Sequence, residues 1–173
     1  MSEVHQMFLE NLKKLGNGDC AALKRSVGTM LHDADAKALT AFYRCLPYGT
    51  SRKYEDRWFA VACLYSFWGT EVEGGKPLEQ VIAKLLKDKE LSDSIGHRIE
   101  VLLDTDWDDD GYLLTKLTRI LKLIRQKSNH TSIDFDLLLQ DLIWWNAENQ
   151  SVQRKWARSI FGNFSETETE VDV

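Results

Sequence analysis

The chain has 173 residues, 43% of them hydrophobic and 28% charged, with ten Gly and two Pro. This is globular composition, with length for one core or two small ones, and it excludes a collagen-like, linker or wholly disordered chain. A formal charge of −5 argues at first against a nucleic-acid partner.

The distribution of charge argues the other way. Residues 165–173 carry Glu166, Glu168, Glu170 and Asp172 and no base, and Asp104 to Asp110 hold five further acids and no base. Without these two segments the chain nets +4. Met1 to Lys14, with Glu3, His5, Glu10, Lys13 and Lys14, lacks the apolar stretch of a secretory signal. The longest apolar run, Trp58 to Trp68, is interrupted by Ser66 and is far shorter than the ~20 residues of a membrane helix. An intracellular, cytoplasmic protein without membrane contact is expected. Cys20, Cys45 and Cys63 have neither disulfide-framework nor zinc-site spacing and are expected to fill the core.

Apolar residues recur at helical spacing along nearly the whole chain, so an all-α fold of eight or nine helices in two small bundles is expected. The first helix covers about Glu3 to Leu15 and stops at Gly16-Asn17-Gly18, glycines suited to the positive φ of a helix terminus. A short second helix carries Cys20 to Arg25, with Asp19 as its cap. The third, Ala36 to Cys45, ends before Pro47. The fourth, about Tyr54 to Trp68, is apolar on most of its circumference and belongs in the middle of its bundle.

Gly69 to Lys76, containing Gly74-Gly75, reads as a linker, which divides the chain into bundles 1–75 and 76–164. After it come a helix from Leu78 to Lys87, opened by Pro77, and one from Ser92 or Ser94 to about Asp104. The acidic loop Asp104 to Gly111 then leads into a long helix, Tyr112 to Lys127. Thr131 or Ser132 is expected to cap the next helix, with Asp134 and Asp136 in its first turn and Phe135, Leu138, Leu139, Leu142 and Trp145 on its inner stripe. A last helix spans Ser151 to Phe161, and residues 165–173 form an acidic, disordered tail.

The long helix is the most informative. From Tyr112 to Ile133 there is no acid, while Lys116, Arg119, Lys122, Arg125 and Lys127 are present. Leu113, Leu117, Ile120, Leu121 and Ile124 fall on one face, flanked by the cations. Solvated helices ordinarily mix signs, because like charges one turn apart repel. A polyanion is therefore weighed evenly against a merely solvated face. Lys24-Arg25 and the acid-free Arg154, Lys155 and Arg158 add to the basic side of the balance, and bases spread over several helices suit phosphate contacts. Tyr43 beside Arg44 could stack on a base, but its apolar neighbours favour packing. The six Trp, Trp144, Trp145 and Trp156 among them, read as core.

Asp106, Asp108, Asp110 and Gly111 match half of a calcium-binding EF-hand loop, but Leu117 stands where the bidentate Glu is required, so no metal is expected. His5, His32, His97 and His130 have no metal-ligand spacing, and no phosphate loop or nucleophile elbow occurs. Neither a cofactor nor enzymatic activity is expected.

Leu15-Gly-Asn-Gly-Asp-Cys-Ala-Ala-Leu-Lys-Arg25, Ala41-Phe-Tyr-Arg44, His97-Arg98, Leu117-Thr-Arg-Ile-Leu121 and Leu142-Ile-Trp-Trp145 followed by Trp156 together resemble the CasB family. This is the small subunit of the type I-E CRISPR interference complex, Cascade. The likeness runs over residues 15 to 162. It implies two helical bundles without a catalytic site, whose basic surfaces hold guide RNA and target DNA and stabilise the displaced strand of the R-loop in antiviral defence. It also implies other Cascade subunits and a second copy of the chain as partners. The binding residues it implies are Lys24, Arg25, Arg44, Arg98, Lys116 and Arg119; Lys122 and Arg125 join them through the helical stripe. A helical scaffold that touches only protein is the alternative.

Overall fold

A computed structural model describes residues 3–69, 74–127 and 131–162. Among these residues there are nine α-helices, two single-turn 3₁₀ segments and no strand, so the fold is all-α. The helices are α1 Glu3–Lys13, α2 Asn17–Arg25, α3 Ala36–Cys45, α4 Glu55–Trp68, α5 Leu78–Leu85, α6 Lys89–Leu103, α7 Tyr112–Lys127, α8 Phe135–Ile143 and α9 Ser151–Phe161.

α4 is the central element, and its composition explains why. Trp58 through Tyr65 and Trp68 are all buried, so no face of the helix is left for water. It packs against α2, the Leu31–Asp33 turn, α7 and α8, while α1 contacts both α3 and α8. α5 pairs with α9, and α6 with α7. The buried side chains of 1–75 and 76–164 form one contiguous cluster. Arg57 of α4 is part of this join: its guanidinium lies 5.3 and 5.1 Å from the ring centres of Tyr54 and Trp107, and its Nε donates to the Leu142 carbonyl at 3.0 Å.

Several helix ends depart from expectation for identifiable reasons. α1 stops at Lys13, where Lys14 and Leu15 donate to carbonyls three residues back, and neither Gly16 nor Gly18 adopts positive φ. Gly16 is instead the extended residue before α2, which begins at Asn17. Asp19 therefore lies in the first turn of α2 and does not cap it. α5 ends at Leu85, with Leu86 and Lys87 in a turn, and α6 begins at Lys89, ahead of either expected serine.

The expected linker is anchored where it is described. Lys76 forms a parallel bridge with Ile133: its N–H donates to Ser132 O at 3.0 Å and its carbonyl accepts from Asp134 N at 2.9 Å. Only glycine fits beside it, because a Cβ on Gly75 would stand 2.3 Å from the Ile133 carbonyl carbon. The same bridge holds 132–134 extended. α8 thus starts after Asp134, whose Oδ1 accepts from Leu137 N at 3.0 Å, and neither Thr131 nor Ser132 caps it. Residues 70–73, His130 and the acidic tail 165–173 lie outside the described residues.

Two aromatic expectations are corrected. Trp144, the residue that ends α8, is 59% exposed while the adjacent Trp145 is buried, and Tyr43 is 49% exposed, its hydroxyl donating to Glu55 Oε2 at 3.0 Å. The other five Trp are buried.

At the α5–α9 contact Glu79 is buried, with Lys155 Nζ at 3.8 Å; Lys155 lies closer, 2.5 Å, to Asp141 Oδ1. Burial pushes the Glu79 carboxyl above its usual range, against the pull of Lys155. A carboxyl whose folded pKa is raised stabilises the fold at low pH, and that contribution is lost as pH rises through the folded pKa. Glu79→Gln is therefore expected to raise Tm at pH 7 by about 2 °C, the scale of 0.5–1 kcal/mol in a chain of this length. The gain should vanish by about pH 3, well below the ordinary glutamate value of ~4.3. Thermal melts followed by circular dichroism across this interval check it, and an equal gain at about pH 3 would contradict it.

Candidate nucleic-acid interface

α7 carries the densest group of candidates. Leu113, Leu117, Ile120, Leu121 and Ile124 are each 1–2% exposed and fix the rotation of the helix, leaving its cations outside the core. Arg119, Lys122 and Lys127 are exposed, and among the described residues no carboxylate lies within ion-pair distance of them. Lys116 is half-buried, its ammonium 5.5 Å from the centre of the Tyr112 ring.

Arg125 is placed differently. Its guanidinium lies over Phe67 and Trp68, 5.6 and 5.7 Å from their ring centres, and Nη1 donates to the Trp68 carbonyl. It ties the end of α7 to the end of α4, a role that the stripe on the helical wheel does not reveal.

The remaining candidates sit on three other helices. Lys24 and Arg25 are exposed in the last turn of α2. The turn that follows packs on α7, since a Cβ on Gly28 would lie 3.5 Å from Thr118. The end of α2 thereby reaches the middle of α7, where Lys116 and Arg119 flank Thr118 in sequence. Arg98 is exposed on α6, which lies along α7. Arg44, on α3, is exposed but paired with Asp19 at 2.8 Å. An exposed pair of this kind contributes about 0–1 kcal/mol, so Arg44 can exchange its carboxylate for a phosphate at little cost.

A second basic region was only half legible in the sequence. Between α5, the end of α7 and α9 runs an open groove of 1930 Å³, lined by Lys76, Lys84, Lys87, Lys127, Arg154, Lys155 and Arg158, with Asp88 as its single acid. Lys127 and the α9 bases stand out in the sequence as acid-free clusters, whereas Lys76, Lys84 and Lys87 do not. They are interspersed with Glu79 and Asp88 in sequence, and only the α5–α9 contact brings them opposite Arg154 and Arg158. Lys155 is drawn inward by Asp141 and Glu79 and contributes less to the groove than its neighbours.

The acidic loop is built into the fold. Trp107 is buried, its N–H donates to Asn146 Oδ1 at 2.8 Å, and Asn146 Nδ2 donates back to the Trp107 carbonyl at 2.8 Å. Trp145 Nε1 donates to Thr105 O at 2.9 Å, and Asp108 Oδ1 accepts from Tyr112 N at the start of α7. Among the described residues no group of three His, Cys, Asp or Glu side chains is placed to hold a metal. His5 is held by Asp136 at 2.7 Å and by the edge of Trp58, a packing role. Burial pushes the Cys45 thiol up to about 11 and that of Cys63 up as well, so both stay protonated near neutral pH. No helix among the described residues is long and apolar enough to cross a membrane.

The fold and this surface define a class: an all-helical protein whose exposed cations are distributed over several helices. The family model for the CRISPR-associated protein Cse2 matches residues 19–161, and the chain belongs to that family. The CRISPR-associated protein Cse2 of Thermus thermophilus is 29% identical over 143 residues, which cover 77% of this chain and 78% of that protein. The crystal structure of a Cse2-family protein from Thermus thermophilus superimposes with a TM-score of 0.76 at 26% identity, covering 94% of this chain and 99% of the other. A chain of a CRISPR RNA-guided surveillance complex shares the fold, with a TM-score of 0.72 at 23% identity over 92% of each chain.

Proposed function

We propose that this chain is a non-catalytic, nucleic-acid-binding subunit of an RNA-guided CRISPR surveillance complex. Its basic helical surfaces hold guide RNA and target DNA and stabilise the displaced strand of the R-loop; its other partners are the remaining Cascade subunits and a second copy of itself. The observation that carries this reading is the set of exposed, uncompensated cations on α2, α6 and α7: Lys24, Arg25, Arg98, Arg119 and Lys122. Like charges gathered without acids cost stability in the free protein and are useful when a polyanion neutralises them. Family membership and the shared fold of a surveillance-complex chain support the same reading. Contacts of this kind grip backbone and leave sequence to base pairing. The bundles 1–75 and 76–164 would act as one body, since Arg57 and Arg125 join them.

The test has two arms. Lys24→Ala, Lys116→Ala and Arg119→Ala together should weaken binding of the protein to a 30-nucleotide single strand, measured by filter binding, while leaving its helicity intact. In the assembled complex, nuclease protection of the displaced strand should fall when the subunit is omitted or carries these changes. Unchanged affinity and unchanged protection would instead favour a scaffold that meets only protein.

A further inference from the structure

The groove between α5, α7 and α9 has a candidate occupant in the chain itself. Its unpaired cations, Lys84, Lys87, Lys127, Arg154 and Arg158, face a single acid, and no described carboxylate pairs with them. Gly162, where the described chain ends, is one of the groove's lining residues. The eleven residues that follow therefore begin on its rim, and fully extended they reach about 36 Å.

The sequence of those residues is regular. Glu166, Glu168, Glu170 and Asp172 alternate strictly with Thr167, Thr169 and Val171. In an extended backbone, alternate side chains point the same way, so all four carboxylates would share one edge at intervals of about 6.7 Å. On α9, Arg154 and Arg158 are four residues apart, about 6 Å along the helix axis. Two successive carboxylates at this interval match the spacing of Arg154 and Arg158, much as two successive phosphates of a strand would.

We propose that residues 165–173 dock, extended, in the α5–α7–α9 groove and compete there with nucleic acid. Each exposed ion pair is weak and screened by salt. The tether supplies the difference, because a segment joined to the groove's rim has an effective concentration in the millimolar range. Segment and groove are therefore balanced, and a nucleic-acid strand with many more phosphates displaces the segment. The docking stands without the nucleic-acid reading; only its consequence, the competition, rests on it.

The experiment compares the full chain with a full-length variant carrying Glu166→Gln, Glu168→Gln, Glu170→Gln and Asp172→Asn, so length and fold are kept. Amide chemical shifts at about 50 mM salt should differ between the two at residues 84–88, 127 and 151–160, and the differences should collapse at about 1 M salt, where screening acts over roughly 3 Å. Arg154→Gln with Arg158→Gln in the full chain should abolish the same differences. Shift changes confined to residues 160–173, or unaffected by salt, overturn the proposal. No nucleic acid enters this measurement, so its outcome is independent of the proposed function. In a separate titration with a single-stranded oligonucleotide, the neutralised variant should bind about three- to tenfold tighter at low salt, as expected when a competitor occupies most of the free protein. Docking shifts without this gain would keep the contact and remove the competition.

Discussion

Trp156→Ala is expected to lower the stability of the fold by about 3–5 kcal/mol, the range for removing a fully buried Trp. Trp156 is 0% exposed and meets Trp145 edge to face at 5.3 Å, with the ring planes 89° apart. Its Nε1 donates to Asp141 Oδ2 at 2.7 Å, while Lys155 holds Oδ1 of the same carboxylate. Truncation thus opens a cavity and strips one partner from a buried acid at the same time. Domains commonly have only 5–15 kcal/mol in total, so the variant should melt about 10–15 °C lower. Trp156→Phe separates the two causes by keeping most of the ring and losing the hydrogen bond, and its loss should be clearly smaller. Urea titration is the measurement, with the midpoint moving and the slope unchanged. A loss below 1 kcal/mol for the alanine variant would mean that α8 and α9 close over the gap.

The parts of the fold that could be read from the sequence were those with local causes. α3 ends where Pro47 forbids continuation, and α7 begins after Gly111, whose φ of 72° interrupts the chain before it. The central position of α4 follows from a circumference with no polar face. What escaped depended on partners distant in sequence. Asp19 has the right chemistry for a cap, yet α2 starts two residues earlier and its carboxylate serves Arg44 on α3. Thr131 and Ser132 look equally suitable before α8, yet the bridge between Lys76 and Ile133 keeps that stretch extended.

The candidate site divides along the same line. The helical period alone locates Arg119 and Lys122 outside the core, and both are exposed. The same period also brings in Arg125, because it carries no information about Phe67 and Trp68, on which that guanidinium rests. Lys84 and Lys87 were invisible for the converse reason: their basic neighbours arrive from α9, roughly seventy residues later in the chain. The negative total charge, which argued against a polyanion partner, comes from a loop pinned by Asn146 and from residues 165–173.

Reversing charge on α7, with Lys116→Glu, Arg119→Glu and Lys122→Glu together, is expected to weaken binding of a single-stranded oligonucleotide about a hundredfold at 50 mM salt. The loss of about 1 kcal/mol for each cation held against an anionic surface, at about 1.4 kcal/mol for each factor of ten, sets this figure as a floor, to which the repulsion of the new carboxylates adds. The sharper readout is salt dependence. Each phosphate contact on a single strand contributes a slope of about −0.7 to log K against log salt, so losing three contacts should flatten the slope by about 2. Replacing the same residues with Gln should flatten it equally while costing less affinity, because neutral side chains release no counterions and add no repulsion. Arg125 is excluded from the set because its guanidinium ties α7 to Trp68, and its loss would confound binding with stability. A hundredfold loss with an unchanged slope would mean that the triple variant acts through the fold. An unchanged affinity would remove α7 from the interface and leave the α5–α7–α9 groove as the principal basic surface.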